Sequence, residues 1–177
     1  MKNISILFLL SSLLFICSCD NDDDSPNCQG IDCLPEATQT GAGTFGCLVN
    51  GEPFYAFGGV QCQYQLIDGE YYFAVGFARG DGFPELVSIE SNQKEIQMGI
   101  NQLAESGEGK IYGKVIFNSN EEFLNRTDEQ NNGFLEITNF DINNNIISGV
   151  FEFSILNQEN GVIYNITDGR FDSFYAQ

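Results

Sequence analysis

From Thr44 onward the chain alternates in twos. Val60, Cys62, Tyr64 and Leu66 interleave with Gln61, Gln63 and Gln65. Tyr71, Phe73, Val75 and Phe77 share one face, while Ala74, Gly76 and Ala78 sit small on the other. Ile111, Val115 and Phe117 oppose Lys110, Lys114 and Asn118, and Ile147, Phe151, Phe153 and Ile155 oppose Ser148, Glu152 and Ser154. A period of two sends successive side chains to opposite faces, so each run predicts a strand with one buried face. The aromatic and β-branched content agrees.

The punctuation between runs predicts hairpins. Asn50-Gly51 lies between 44–49 and 52–57, where a type I′ turn needs positive φ at both central residues. Asp68-Gly69 sits between two strands in the same way, and Asp168-Gly169 between 162–167 and 170–175. Asn143, Asn144 and Asn145 form a polar loop joining strands at 134–142 and 146–156. The expectation is an all-β domain of about 8–10 strands in an antiparallel meander. A β-sandwich stands ahead of a closed barrel, since the count suits both and the turns do not choose. Two stretches fit less well. Ser119, Asn120, Glu121 and Glu122 match a capping box, which predicts one or two helical turns over 121–127. Over 95–103, Ile96, Ile100 and Leu103 suit a helix while Ile96, Met98 and Ile100 suit a strand; the strand is preferred because its neighbours are strands.

The first residues follow a different pattern. Lys2 precedes an apolar run over 4–16 broken only by serines, and Ile16-Cys17-Ser18-Cys19 leads into Asp20, Asn21, Asp22, Asp23 and Asp24. The run falls short of the roughly 18 residues needed to cross hydrocarbon, so it reads as a signal peptide. Its ending resembles a bacterial lipobox, with Ser18 before an acylated Cys19; Cys17 fits less well behind bulky Ile16. The expected organisation is a signal peptide over 1–18, a lipidated acidic tether over 19–43 and one β-rich domain over 44–177. The lipid would place the domain at the outer membrane. Asp20, Asp22, Asp23 and Asp24 resemble the acidic export signal of surface lipoproteins, so the cell surface is expected, with the periplasmic face as the alternative.

Charge and cysteines narrow the partners. The formal charge is −18, and cleavage after Ser18 would remove Lys2 and no acid, leaving −19. Such a chain is repelled by phosphate backbones, which argues against nucleic acid. The carboxylates run on through Glu85, Glu105, Glu121, Glu129, Glu152 and Asp172, and read as solvated surface charge. Beyond Cys17 and Cys19, four cysteines remain: Cys28, Cys33, Cys47 and Cys62. An even count in an exported chain predicts disulfides, with Cys28–Cys33 and Cys47–Cys62 as the expected pairs. Their spacing matches no zinc ribbon, and there is no histidine for a Ser-His-Asp site or a His-ligated metal.

Leu34-Pro35-Glu36-Ala37-Thr38-Gln39-Thr40-Gly41, then Thr44-Phe45-Gly46-Cys47-Leu48-Val49-Asn50-Gly51, and Ile166-Thr167-Asp168-Gly169-Arg170-Phe171-Asp172 near the end, carry a resemblance. Together they are similar to a family of Bacteroidota lipoproteins of uncharacterised function. The resemblance implies an envelope location and a small β-rich domain, and brings no catalytic residues. Read physically, both motifs fit turns and core.

No residue pattern identifies a reaction, and no catalytic residue, metal site or cofactor is assigned. Asp141, Asn143 and Asn145 hold positions one, three and five of a calcium loop with Glu152 at twelve, but Ile146 stands where glycine is needed. Asp128 to Gly133 is a second oxygen-rich loop of the same kind. The expectation is an envelope lipoprotein acting as a binding or accessory module for a glycan, a peptide or another envelope protein. The alternatives are a carboxylate-dependent, glycosidase-like hydrolase and a structural envelope protein. A groove of aromatic residues with polar rims would favour binding, whereas two acids of split pKa in a cleft would favour hydrolysis.

Overall fold

A computed structural model describes residues 28–80, 82–118 and 125–177. The signal peptide, Cys19, the export acids Asp20, Asp22, Asp23 and Asp24, and the capping box at 119–122 lie outside them. Among the described residues a 3₁₀ turn over Gly30–Cys33 is followed by eleven strands. These are β1 (Thr44–Val49), β2 (Glu52–Phe57), β3 (Gln61–Ile67), β4 (Glu70–Ala78), β5 (Leu86–Asn92) and β6 (Gly99–Leu103), then β7 (Lys110–Ile116), β8 (Asn125–Arg126), β9 (Gly133–Asp141), β10 (Ile146–Leu156) and β11 (Ile163–Phe174).

The strands form two antiparallel sheets, one ordered β2-β1-β11-β10-β9-β6 and the other β3-β4-β5-β7-β8. The first is called sheet A and the second sheet B. The protein is an all-β sandwich, as the period of two predicts. Its order is more interleaved than a meander: β11 returns to lie between β1 and β10, and β6 leaves its neighbours in sequence to pair with β9. The inner faces supply the core. Phe45, Phe151 and Phe171 of sheet A meet Phe73, Val87, Ile89 and Val115 of sheet B, all buried. Phe73 and Phe171, from opposite sheets, lie 6.4 Å apart between ring centroids, within the range at which aromatic pairs attract.

Three hairpins form where the sequence places them: Asn50 and Gly51 have φ of 51° and 88°, Asp68 and Gly69 have 52° and 88°, and the loop through Asn143, Asn144 and Asn145 joins β9 to β10. Asp168-Gly169 does not turn the chain. β11 runs through it, paired to β1 on one side and β10 on the other, and both ladders shift register there. Asp168 keeps the left-handed φ of 54° that the dipeptide favours, but spends it on a bulge. Gly169 is needed because an added Cβ would lie 2.4 Å from the Phe151 ring. Over 95–103 only Gly99–Leu103 is strand. Asn101 accepts from the Gln97 N–H and donates to the Gln97 and Gly99 carbonyls, which holds the chain off the ladder before Gly99. Asn125 and Arg126 pair with Val115 and Lys114 as a short strand, not as a helical turn.

The cysteines divide. Cys28 and Cys33 are bridged, with Cα atoms 5.0 Å apart across the 3₁₀ turn. Cys47 and Cys62 are free thiols, which corrects the second expected pair. β1 lies inside sheet A and β3 at the edge of sheet B. Stacked sheets sit about 10 Å apart, beyond the roughly 4.4–6.8 Å between Cα atoms that a bridge spans. Burial pushes the Cys47 thiol far up and the Cys62 thiol to about 12, so neither is a thiolate at neutral pH.

Candidate functional site

The outer faces of the two sheets differ, and that difference locates the site. On sheet A, the segment before β1 crosses the outer face and is held by Asp172 of β11. This carboxylate is fully buried, which corrects its reading as surface charge. Its Oδ2 accepts hydrogen bonds from the Thr38 hydroxyl (2.6 Å), the Thr40 N–H (2.8 Å), the Thr40 hydroxyl (3.3 Å) and the Ala42 N–H (3.1 Å). Its Oδ1 accepts from the Gly41 N–H and the Ser148 hydroxyl, both at 2.8 Å. Burial alone would raise the Asp172 pKa. Hydrogen bonds from Thr38, Ala42, Thr40 and Ser148 outweigh it and bring the value down to about 2. Consecutive N–H groups at Thr40, Gly41 and Ala42 make a small concavity suited to an anion, and here the anion belongs to the chain itself.

The two motif regions therefore meet at one carboxylate. Gly46 lies under Pro35, where an added Cβ would come within 2.7 Å of the ring. Leu34 is buried beside it. These motif residues secure the N-terminal segment, and the sequence alone offered no sign of it because Thr38 and Asp172 are 134 residues apart.

Among the described residues sheet B carries no such cover. Its outer face forms an open groove of about 760 Å³ across β3, β4, β5 and β7. Ala74, Gly76 and Ser88 make a low floor; Gly76 has no room for a side chain, since a Cβ would lie 2.6 Å from Ser88. Gln61, Gln63 and Tyr72 line one side, and Glu90, Tyr112 and Lys114 the other. Glu90 ties that side together. It accepts from Lys114 Nζ at 2.9 Å, from the Tyr112 hydroxyl at 2.9 Å and from the Ser88 hydroxyl at 3.1 Å. Burial would raise the Glu90 pKa, but these bonds and the Lys114 charge hold it below the usual carboxylate range. Tyr112 is pushed up to about 12 by burial and by the Glu90 charge beside it. The Arg126 guanidinium stacks over the Tyr112 ring at 5.5 Å. The result is a fixed array of amide, hydroxyl and paired-charge groups beside flat phenol rings.

A second cavity, about 510 Å³, opens where the sheets part at the far end of β3. Tyr64 and Tyr71 stack there at 5.1 Å, with Phe140 and Tyr175 edge-on to Tyr64. Leu66 and Ile142 stand exposed at its rim.

Among the described residues each cavity is lined by one carboxylate, Glu90 in the first and Glu95 in the second. Glycoside hydrolysis uses two, about 5–5.5 Å or 6.5–9.5 Å apart. The oxygen-rich loops use their acids internally. Asp141 accepts from the Asn143 and Asn144 N–H groups and the Asn144 side chain, and Asp128 accepts from the Gln130 and Asn131 N–H groups. Glu152 lies along β10, paired opposite Phe134 and away from the Asp141 loop. Glu90, Tyr112 and Lys114 escaped the sequence reading as a site. The i, i+2 spacing of Tyr112 and Lys114 puts those two on one face, but nothing in the sequence shows that β7 pairs with β5, which carries Glu90. No protein-family model, curated protein or solved structure matches this chain.

Proposed function

We propose that this protein is a lipid-anchored envelope module that binds a neutral glycan in the groove on the outer face of sheet B. One observation carries the ligand class: the groove combines exposed glutamine amides, the Glu90–Lys114 pair and the phenol rings of Tyr72 and Tyr112 on an open floor. Sugar hydroxyls both donate and accept, and sugar faces are apolar, so amides and ion-paired side chains beside aromatic rings suit them. The net charge of −18 disfavours anionic sugars. Acylation at Cys19, the acidic run from Asp20 to Asp24 and the resemblance to uncharacterised Bacteroidota lipoproteins support attachment to the outer membrane with the domain facing outward. Each cavity's single carboxylate gives the hydrolase reading no specific support.

The test is a panel of immobilised neutral and acidic oligosaccharides probed with the mature chain carrying Cys19→Ser. Neutral glycans should be retained, and Gln63→Ala or Tyr72→Ala should each weaken binding about tenfold, equivalent to about 1.4 kcal/mol. Binding indifferent to both substitutions, or no retention of any neutral glycan, refutes the proposal.

A further inference from the structure

The second cavity adjoins a sheet edge that is already half used. Ala176 lies parallel to β3 beside Gln63, donating its N–H to the Cys62 carbonyl and accepting from the Tyr64 N–H. Even-numbered residues of β3 therefore turn their backbone groups away from β4. By strand alternation the Leu66 N–H and C=O face the same open side. Among the described residues nothing pairs with Leu66 there. Directly beside it lies the aromatic mouth of Tyr64, Tyr71, Phe140 and Tyr175, and Leu66 itself is 61% exposed.

We infer that this edge docks an extended, basic segment of a partner protein, which pairs with Leu66 in line with Ala176 and sets an apolar side chain in the aromatic mouth. Strand addition supplies backbone hydrogen bonds, and the mouth supplies side-chain selection, the usual division of labour when a peptide joins a sheet edge. The edge already accepts an extended segment at Ala176, and the aromatic mouth opens beside that pairing. Charge selects the partner. Glu95 lines the mouth, Asp68 and Glu70 are exposed at the adjoining turn, and these acids outnumber the neighbouring exposed Lys94 three to one. A second copy, carrying the same −18, would be repelled from this edge, whereas a lysine- or arginine-bearing segment is drawn to it. The site is separate from the glycan groove, and neither reading depends on the other.

The probe is a blocked heptapeptide alternating lysine and leucine, titrated into the isotope-labelled mature chain carrying Cys19→Ser and followed by amide resonances. Two analogues keep every side chain but are N-methylated at odd or at even amides. Pairing with an edge uses one alternate set, so one analogue should bind as the parent does and the other at least tenfold more weakly. The largest shifts should fall at Leu66 and its neighbours. Leu66→Pro removes the outward N–H at an edge position that tolerates proline, and should also weaken binding at least tenfold. If that variant does not fold, the two analogues decide alone. Equal binding of both analogues would mean general attraction to an acidic surface and overturns the inference. So would a concentration-dependent dimer lost on Leu66→Pro, which would make the occupant a second copy.

Discussion

Replacing Asp172 tests the account of how the N-terminal segment is held. Asp172→Ala removes all six acceptor contacts at once. If the segment stayed in place, the N–H groups of Thr40, Gly41 and Ala42 would lose their acceptor. Each such loss costs about 1–3 kcal/mol when buried. Detachment is the cheaper response, because water then satisfies those groups and the freed residues regain backbone entropy. What detachment forfeits is the burial of Leu34, about 2 kcal/mol, the Pro35 contact over Gly46 and the partner of the buried Ser148 hydroxyl. The expected net cost is about 3 kcal/mol, or roughly 10 °C in melting temperature for a domain of this size. Asp172→Asn should recover only part of it, since its NH₂ would face donors.

The pH dependence gives an independent magnitude. Asp172 has a folded pKa of about 2, below its unfolded value near 3.9. Its contribution is therefore complete above about pH 5 and is lost as pH falls toward 2. The difference of nearly two units corresponds to about 2.6 kcal/mol at neutral pH, of which about 2 kcal/mol is lost by pH 2.5, in line with the estimate from contacts. Chemical denaturation at pH 7 and pH 2.5 measures both, and amide exchange localises the effect. In Asp172→Ala the amides of Thr40, Gly41 and Ala42 should lose protection at least a hundredfold while those of β4 and β5 keep theirs. The wild-type stability loss on acidification should shrink by about 2 kcal/mol in the variant. A drop under about 2 °C with amides 40–42 still protected would refute the reasoning.

Two further predictions are more easily checked. Mass mapping of unreduced protein should return a Cys28–Cys33 peptide, with Cys47 and Cys62 recovered as free thiols and Cys47 alkylated only after unfolding; a Cys47–Cys62 peptide would contradict the separation of the two sheets. Replacing Asp22, Asp23 and Asp24 with alanine should leave the protein acylated and folded but shielded from protease added to intact cells. If the unaltered protein already resists that protease while a surface marker is digested, the domain faces the periplasm.

The strands were legible because a half-buried strand writes its period into the sequence. The bounds of β1, β2 and β10 follow directly from alternation and turn chemistry. Asp168-Gly169 misled because a hairpin and a bulge ask for the same left-handed φ. Only the presence of partners on both sides of β11 decides between them, and that is a long-range fact. Asp172 was unreadable for the same reason. A carboxylate facing solvent and one enclosed by distant N–H groups look identical in a sequence. The expected Cys47–Cys62 bridge failed at the level of layers: both residues point to the core, but from sheets too far apart.

Small residues played opposite parts on the two sheets, and this explains where the open groove lies. On sheet A, Gly46 makes room for Pro35, and the N-terminal segment fills the space that the missing side chain leaves. Asp172 then fixes that segment by accepting its N–H groups, so the outer face around β1, β10 and β11 is covered by the chain itself. On sheet B, Ala74 and Gly76 are also small, but their neighbours are Ser88 and the paired strand, and no segment among the described residues is laid across them. The floor stays low while Tyr72, Tyr112, Glu90 and Lys114 rise beside it. A sheet needing only to be solvated would be served by long charged side chains at those central positions, as on most half-exposed sheets. Short residues flanked by an ordered polar network leave room for something else, and a hydroxyl-rich ligand suits what lines that room.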